Sequence, residues 1–179
     1  MVKLIASDLD GTILRHGAQK VDKSTIEVIG KLLDAGLLFA PASGRQIVSL
    51  KRLFEPISDR LVYISENGAL SEYRGEVIAK TAMERRLALQ IIEDVYEHCE
   101  VLISGQHTAY IKPKTEEYLY RMTKVVNYKT TIIDKFSDID EDILKIAVCD
   151  LSGINNSKEH FFSRWKGQAS IAVSGELYL

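Results

Sequence analysis

Cysteine is nearly missing from this chain. Only Cys99 and Cys149 occur in 179 residues, and neither belongs to a Cys-x-x-Cys pair or a His-rich metal spacing. A disulfide framework is thereby excluded, and two buried free thiols in a cytoplasmic protein are the expected state. No charge of one sign dominates: 23 Lys+Arg stand against 25 Asp+Glu, the net charge is −2, and no basic block occurs. Nothing therefore draws nucleic acid or an anionic membrane surface. No apolar run approaches the length of a membrane span. The N-terminus enters an apolar strand directly, so no signal peptide is read. Internal repeats and low-complexity tracts are absent too. What remains is a globular chain long enough for one domain or two small ones.

The informative stretch is Ser7-Asp8-Leu9-Asp10-Gly11-Thr12. It follows the apolar run 2–6, which has the length of a strand. Carboxylates at the end of a buried strand are costly unless a cation or hydrogen bonds compensate them. Two acidic side chains two residues apart converge on one small volume. Gly11 permits a sharp turn and brings backbone amides close to a ligand. A hard divalent cation such as Mg²⁺ suits that cluster. The plain alternative is a polar loop with two solvated aspartates.

Along the chain, residues 2–7 read as a strand and 15–22 as a polar loop. A helix follows over 23–35, with Ile26, Ile29, Gly30 and Leu33 on one stripe and a capping box at Ser24 and Glu27, or Asp22 as the cap. Gly36 stops it. Residues 37–40 form a second strand ending at Pro41-Ala42-Ser43-Gly44-Arg45. Then come a helix over 46–54, ended by Pro56, and a third strand over 61–64, which ends at Ser65-Glu66-Asn67-Gly68-Ala69. Continuous apolar strands alternating with helices predict a parallel sheet covered on both faces. Ligands of such sheets bind at the carboxyl ends of the strands. Three loops distant in sequence are thus expected to meet.

Beyond residue 69 the rhythm changes. A hairpin over 70–80, a long helix over 83–98, strands at 100–104, 108–112, 129–133 and 143–149, helices at 116–125 and 156–165, and a closing hairpin around Ser174-Gly175 predict an α+β half with antiparallel pairing. Phe161, Phe162 and Trp165 are expected to face inward, Trp165 as core and not as a substrate platform. The domain boundary is placed at residue 80. The four histidines show no metal pattern in sequence, and Asp134, Asp138, Asp140 and Asp142 read as a solvated loop.

Asp8-Leu9-Asp10-Gly11-Thr12 resembles the first motif of the haloacid dehalogenase-like phosphatases, Asp-x-Asp-Gly-Thr. Ser43-Gly44-Arg45 resembles the second motif of that family's Cof-type sugar-phosphatase branch, and Glu66-Asn67-Gly68-Ala69 resembles the segment before its cap. The resemblance implies a Rossmann-like α/β core over 1–80 and an α+β cap of the C2B kind over 81–179. It implies Asp8 as nucleophile and Asp10 as general acid/base. Gly11, Ser43, Gly44, Arg45 and Asn67 would hold phosphate and substrate, and Mg²⁺ would sit on Asp8 and Asp10. Ser43 alone would read as a helix N-cap, Arg45 alone as a surface arginine and Asn67 alone as a turn residue.

The implied activity is Mg²⁺-dependent hydrolysis of a small phosphorylated metabolite, a sugar phosphate by class, through an aspartyl-phosphate, with the cap closing over the site. The family's later motifs, a phosphate-neutralising lysine and a Gly-Asp-x-x-Asn-Asp acidic loop, do not stand in these 179 residues. A non-catalytic metal- and phosphate-binding remnant is therefore the alternative, and a phospho-acceptor signalling domain a third reading. Without the family's C-terminal strands the first strand becomes an exposed apolar edge, for which self-association is the expected cover.

Overall fold

The apolar run at the start of the chain forms strand β1 (Leu4–Asp8), paired in parallel with β2 (Leu38–Ala42) so that Leu4 stands opposite Leu38 and Asp8 opposite Ala42. This is seen in a computed structural model, which describes residues 2–15, 18–174 and 176–179. The chain divides into two compact units, Met1–Thr81 and Ala82–Leu179. Among the described residues no helix is long and apolar enough to cross a membrane.

The first unit carries a five-stranded sheet in the order β1-β2-β3-β4-β5, with β3 at Val62–Ser65, β4 at Leu70–Tyr73 and β5 at Glu76–Lys80. Its first three strands are parallel, and β4 and β5 return antiparallel through Arg74 and Gly75, both at positive φ as a tight hairpin turn requires. Helix α1 (Lys23–Asp34) ends on Gly36 at φ 81°, whose N–H reaches Leu33 O while that of Leu37 reaches Leu32 O. Helix α2 (Ile47–Leu53) turns Ile47 and Leu50 inward, and Phe54 follows them, all three buried. Each full burial stabilises the unit by about 1.5–3 kcal/mol.

Several expectations change here. Asp22, and not Ser24, takes the N-cap position of α1, without a side-chain hydrogen bond, so the Ser24–Glu27 capping box does not form. Strand β2 runs on through Pro41 to Ala42. It meets β3 only at Ala42 opposite Ile64, so a missing N–H at Pro41 interrupts little. Pro56 does not end the helical path but lies within a 3₁₀ turn over Glu55–Arg60. Leu4, Ala6 and Asp8 are exposed, so one face of the sheet is bare at β1.

In the second unit the sheet order is β8-β7-β6-β9, with β6 at Glu100–Ser104, β7 at Ala109–Ile111, β8 at Thr130–Ile132 and β9 at Lys145–Cys149. All five residues of β6 are buried, because the strand is covered on both faces. Val101 and Ile103 pack with Ala88, Ile91, Ile92 and Val95 of helix α3 (Arg85–His98). Leu102 points the other way, toward Ile111, Cys149, Met122 and Tyr118 of helix α4 (Glu116–Tyr120). Alternate side chains of one strand thus feed two cores. Helix α3 begins on Glu84, whose carboxylate accepts the N–H groups of Arg86 and Leu87 at 2.8 and 2.7 Å. These two donors hold the Glu84 carboxyl below its ordinary range.

Here too the sequence reading needs correction. Strand β8 pairs with β7 in parallel, where antiparallel pairing is expected throughout. The helix after residue 116 passes into a π-helical turn over Arg121–Val125. In helix α5 (Lys158–Trp165) Phe161 and Trp165 are buried, but Phe162 is exposed. Among the described residues 168–173 form no strand: the Ser174 N–H reaches Tyr178 O across the expected turn, but the last residues run beside β9, with Val148 and Leu179 exchanging both backbone hydrogen bonds. Gly175, at the centre of the expected turn, lies outside the described residues. Cys99 and Cys149 are buried free thiols. Burial pushes that of Cys149 up to about 11.

Candidate active site

The acidic motif folds as a tight loop because the carbonyl of Leu9 accepts three backbone N–H groups, from Thr12, Ile13 and Leu14, at 3.3, 3.0 and 2.8 Å. Leu9 and Leu14 are buried beneath it, and Gly11 sits at φ 88° where a side chain would strain the turn. Asp8 and Asp10 are held on the exposed surface above these apolar anchors. Asp8 Oδ2 accepts from the Thr12 hydroxyl at 3.2 Å, which orients this exposed carboxylate.

Register explains why the second loop arrives. Asp8 stands opposite Ala42, so the residues that leave β2 emerge beside those that leave β1. Arg45 donates from Nε and Nη2 to the two oxygens of Asp10, at 3.1 and 2.7 Å. Ser43 Oγ donates to Asp10 Oδ2 at 3.3 Å and accepts from the Arg45 N–H at 3.2 Å. Ser43 is not the helix cap: α2 begins after Gln46, and no side chain caps it. Asp10 is thus the hub of the site, and both side chains expected on phosphate reach it.

The third loop docks by its backbone. Asn67 N–H donates to Ser43 O at 3.1 Å and Glu66 N–H to Arg45 O at 3.2 Å. To make these contacts Glu66, Asn67 and Gly68 all take positive φ, at 50°, 56° and 92°. Asn and Gly accept that conformation readily, whereas for Glu66 it costs energy on the order of 1–2 kcal/mol. Glu66 is buried at 3% exposure, a feature that the motif reading passed over in favour of Asn67. The signal was a glutamate, a poor left-handed residue, placed ahead of Asn-Gly.

Gly44 closes the arrangement. A β-carbon there would run into Oδ1 of Asn67. Gly44→Ala is therefore expected to push the Asn67 side chain aside. The expected result is a fall of roughly 10²-fold in any turnover at this site with the thermal midpoint nearly unchanged, checked by phosphate release and a melting curve on the same preparation.

Site residues Asp8, Asp10, Gly11, Ser43, Gly44, Arg45 and Asn67 all lie in these three loops of the first unit. In the second unit Tyr110 is core, its hydroxyl donating to Asp140 at 2.7 Å. Burial and the carboxylates of Asp140 and Glu141 push that phenol well up. Lys112 and Lys114 lie over the Tyr96 ring. His98 and His160, which show no metal spacing in sequence, come together with Asp94 in a group that could hold a metal ion.

Residues 5–179 match the family model for haloacid dehalogenase-like hydrolases. The 5-amino-6-(5-phospho-D-ribitylamino)uracil phosphatase YbjI of Escherichia coli K12 is 22% identical over 149 residues. That alignment takes in 82% of this chain and 55% of the relative, so the chain spans little more than half of it. A crystal structure of an Eubacterium rectale protein superposes with a TM-score of 0.83 at 24% identity, covering 99% of this chain and 69% of that one. A haloacid dehalogenase-like hydrolase from Bacillus subtilis superposes at 0.81 and 18% identity, covering 99% and 72%.

Proposed function

Because the chain belongs to the haloacid dehalogenase-like hydrolases, we propose that it is a Mg²⁺-dependent phosphatase for small phosphomonoesters of the sugar-phosphate class, working through an aspartyl-phosphate on Asp8. The first unit is read as the core half of the fold and the second as its cap. The observation that carries the reading is the convergence of Asp8, Asp10, Ser43 and Arg45 from two neighbouring strand ends, with Asn67 docked beside them.

The donor set fits a hard cation: an exposed Asp8 carboxylate already oriented by Thr12, with the Asp10 backbone carbonyl two residues along the chain. Bound there, Mg²⁺ would offset the repulsion between the carboxylate and a dianionic phosphate. The other carboxylate oxygen of Asp8 forms a bond to phosphorus as the ester P–O bond breaks, and Asp10 hands its proton to the departing alkoxide. Water then attacks the aspartyl-phosphate, giving its proton to Asp10 and releasing phosphate and free Asp8.

Both oxygens of Asp10 accept from Arg45 or Ser43, so neither is free to carry a proton to the leaving group in that arrangement. An entering phosphate supplies competing oxygens for the arginine fork and the serine hydroxyl. Arg45 thus passes from Asp10 to substrate and releases Asp10 for acid/base work. Self-association along the β1 edge belongs to the same reading, since among the described residues β1 has one neighbour in its sheet.

The test is phosphate release from a small aryl phosphate by this 179-residue chain, with and without Mg²⁺. Release that requires the metal is the expected result. A folded chain that binds inorganic phosphate but releases none from the ester is the non-catalytic alternative, which the engagement of Arg45 and Ser43 on Asp10 would then explain.

A further inference from the structure

Three side chains of the second unit converge in a place that the phosphate chemistry does not use. Asp94 and His98 stand one turn apart on α3 and so share a face. His160 comes from the first turn of α5. Ligand atoms of the three lie within 4.8 Å of one another. His160 Nε2 is 3.1 Å from Asp94 Oδ1, and the two imidazoles meet edge to face with centroids 4.5 Å apart. The other carboxylate oxygen, Asp94 Oδ2, accepts from the indole N–H of buried Trp165 at 2.7 Å.

We propose that Asp94, His98 and His160 form a Zn²⁺ site that ties α5 to α3. Two imidazoles and a carboxylate are a donor set for borderline transition ions, and Mg²⁺ prefers all-oxygen shells. The carboxylate is mostly buried, with 13% of its side chain exposed, and Trp165 fixes its orientation, as supporting partners commonly do for metal ligands. Oδ1 is left facing the histidines. Ligand atoms of a tetrahedral Zn²⁺ lie about 3.3 Å apart, so the cluster closes by rotation of the two exposed imidazoles. Three protein ligands leave a fourth position for water. In the ion-free form the His160–Asp94 contact keeps the cluster together.

The single tryptophan of the chain is bonded to the proposed ligand, so it reports on the site directly. The experiment uses tag-free protein carrying Asp8→Asn, which keeps the acidic motif out of the readout, titrated with Zn²⁺ in excess Mg²⁺. The expected result is a saturable change in Trp165 fluorescence at one equivalent and micromolar Zn²⁺, quenching when Co²⁺ replaces Zn²⁺, and a higher thermal midpoint. His98→Gln, at an exposed position, is expected to weaken binding about 100-fold or more. His107→Gln, on the turn between β6 and β7, leaves it intact. Absence of a saturable change, or binding by His98→Gln and His160→Gln as tight as the parent's, overturns the site and leaves a surface ion pair with aromatic packing. Phosphatase activity enters neither outcome.

Discussion

Asp8→Asn is expected to abolish phosphate release, by at least about 10⁴-fold, since an amide cannot attack phosphorus and residues acting as one unit lose nearly everything when one is removed. Folding should be untouched within ~0.5 kcal/mol, because the side chain is exposed and Asn can still accept from Thr12. Asp10→Asn gives a different signature. The loss is about 10²–10⁴-fold, the range for general acid–base groups, and it depends on the leaving group. An aryl phosphate needs little help from a proton, whereas an alkyl phosphate needs much, so the variant is expected to be far worse on the alkyl ester. The ion pair it breaks has side chains 31% and 53% exposed, worth about 0–1 kcal/mol. Equal losses on both esters, or a large drop in thermal midpoint, would show that Asp10 serves structure and not proton transfer. Steady-state release with the two esters, beside a melting curve, decides it.

The second large effect lies away from chemistry. Glu100, on β6, is buried at 5% exposure, and its carboxylate accepts from Lys114 N–H at 3.2 and 3.1 Å, Thr115 N–H at 3.1 Å and the Thr115 hydroxyl at 3.0 Å. Thr115 in turn caps α4 by accepting from Tyr118 N–H at 3.2 Å. One carboxylate therefore holds both the turn that leaves β7 and the start of the next helix. Glu100→Ala is expected to cost about 2–3 kcal/mol, the weight of charged hydrogen bonds left unmade. That corresponds to a thermal midpoint lower by roughly 10–20 °C for a unit of this size. Glu100→Gln, which keeps an acceptor, should recover part of the loss. A midpoint within about 2 °C of the parent for Glu100→Ala would mean that water takes over those donors without penalty.

How much of this is visible in the residues depends on whether a feature is local. Apolar runs closed by Asp8, by Ser43-Gly44-Arg45 and by Glu66-Asn67 announce parallel strands whose ends meet, because period and punctuation suffice. The α3 stripe of Ala88, Ile91, Ile92 and Val95 is legible for the same reason. Features that depend on packing are not. Nothing in Ser43-Gly44-Arg45 says that its arginine rests on Asp10, since that follows from the β1–β2 register. Pro41 argues against a strand locally and is overruled by Leu38–Ala40 beside β1. Phe162 shares a helix with Phe161 but not a face. His98 and His160 meet because α5 packs beside α3, which no spacing rule encodes. The final residues look like half of a hairpin, yet β9 offers them a better partner.

Among the described residues Asp8 stands at the end of a strand with a neighbour on one side only. Mechanically it is mounted on a cantilever: β2 braces β1, and along the opposite edge no described strand does. Anything that adds a strand to that edge stiffens the mount, narrowing the range over which the Asp8 carboxylate wanders. Occupancy of the edge and the positioning of Asp8 then become two readings of one equilibrium.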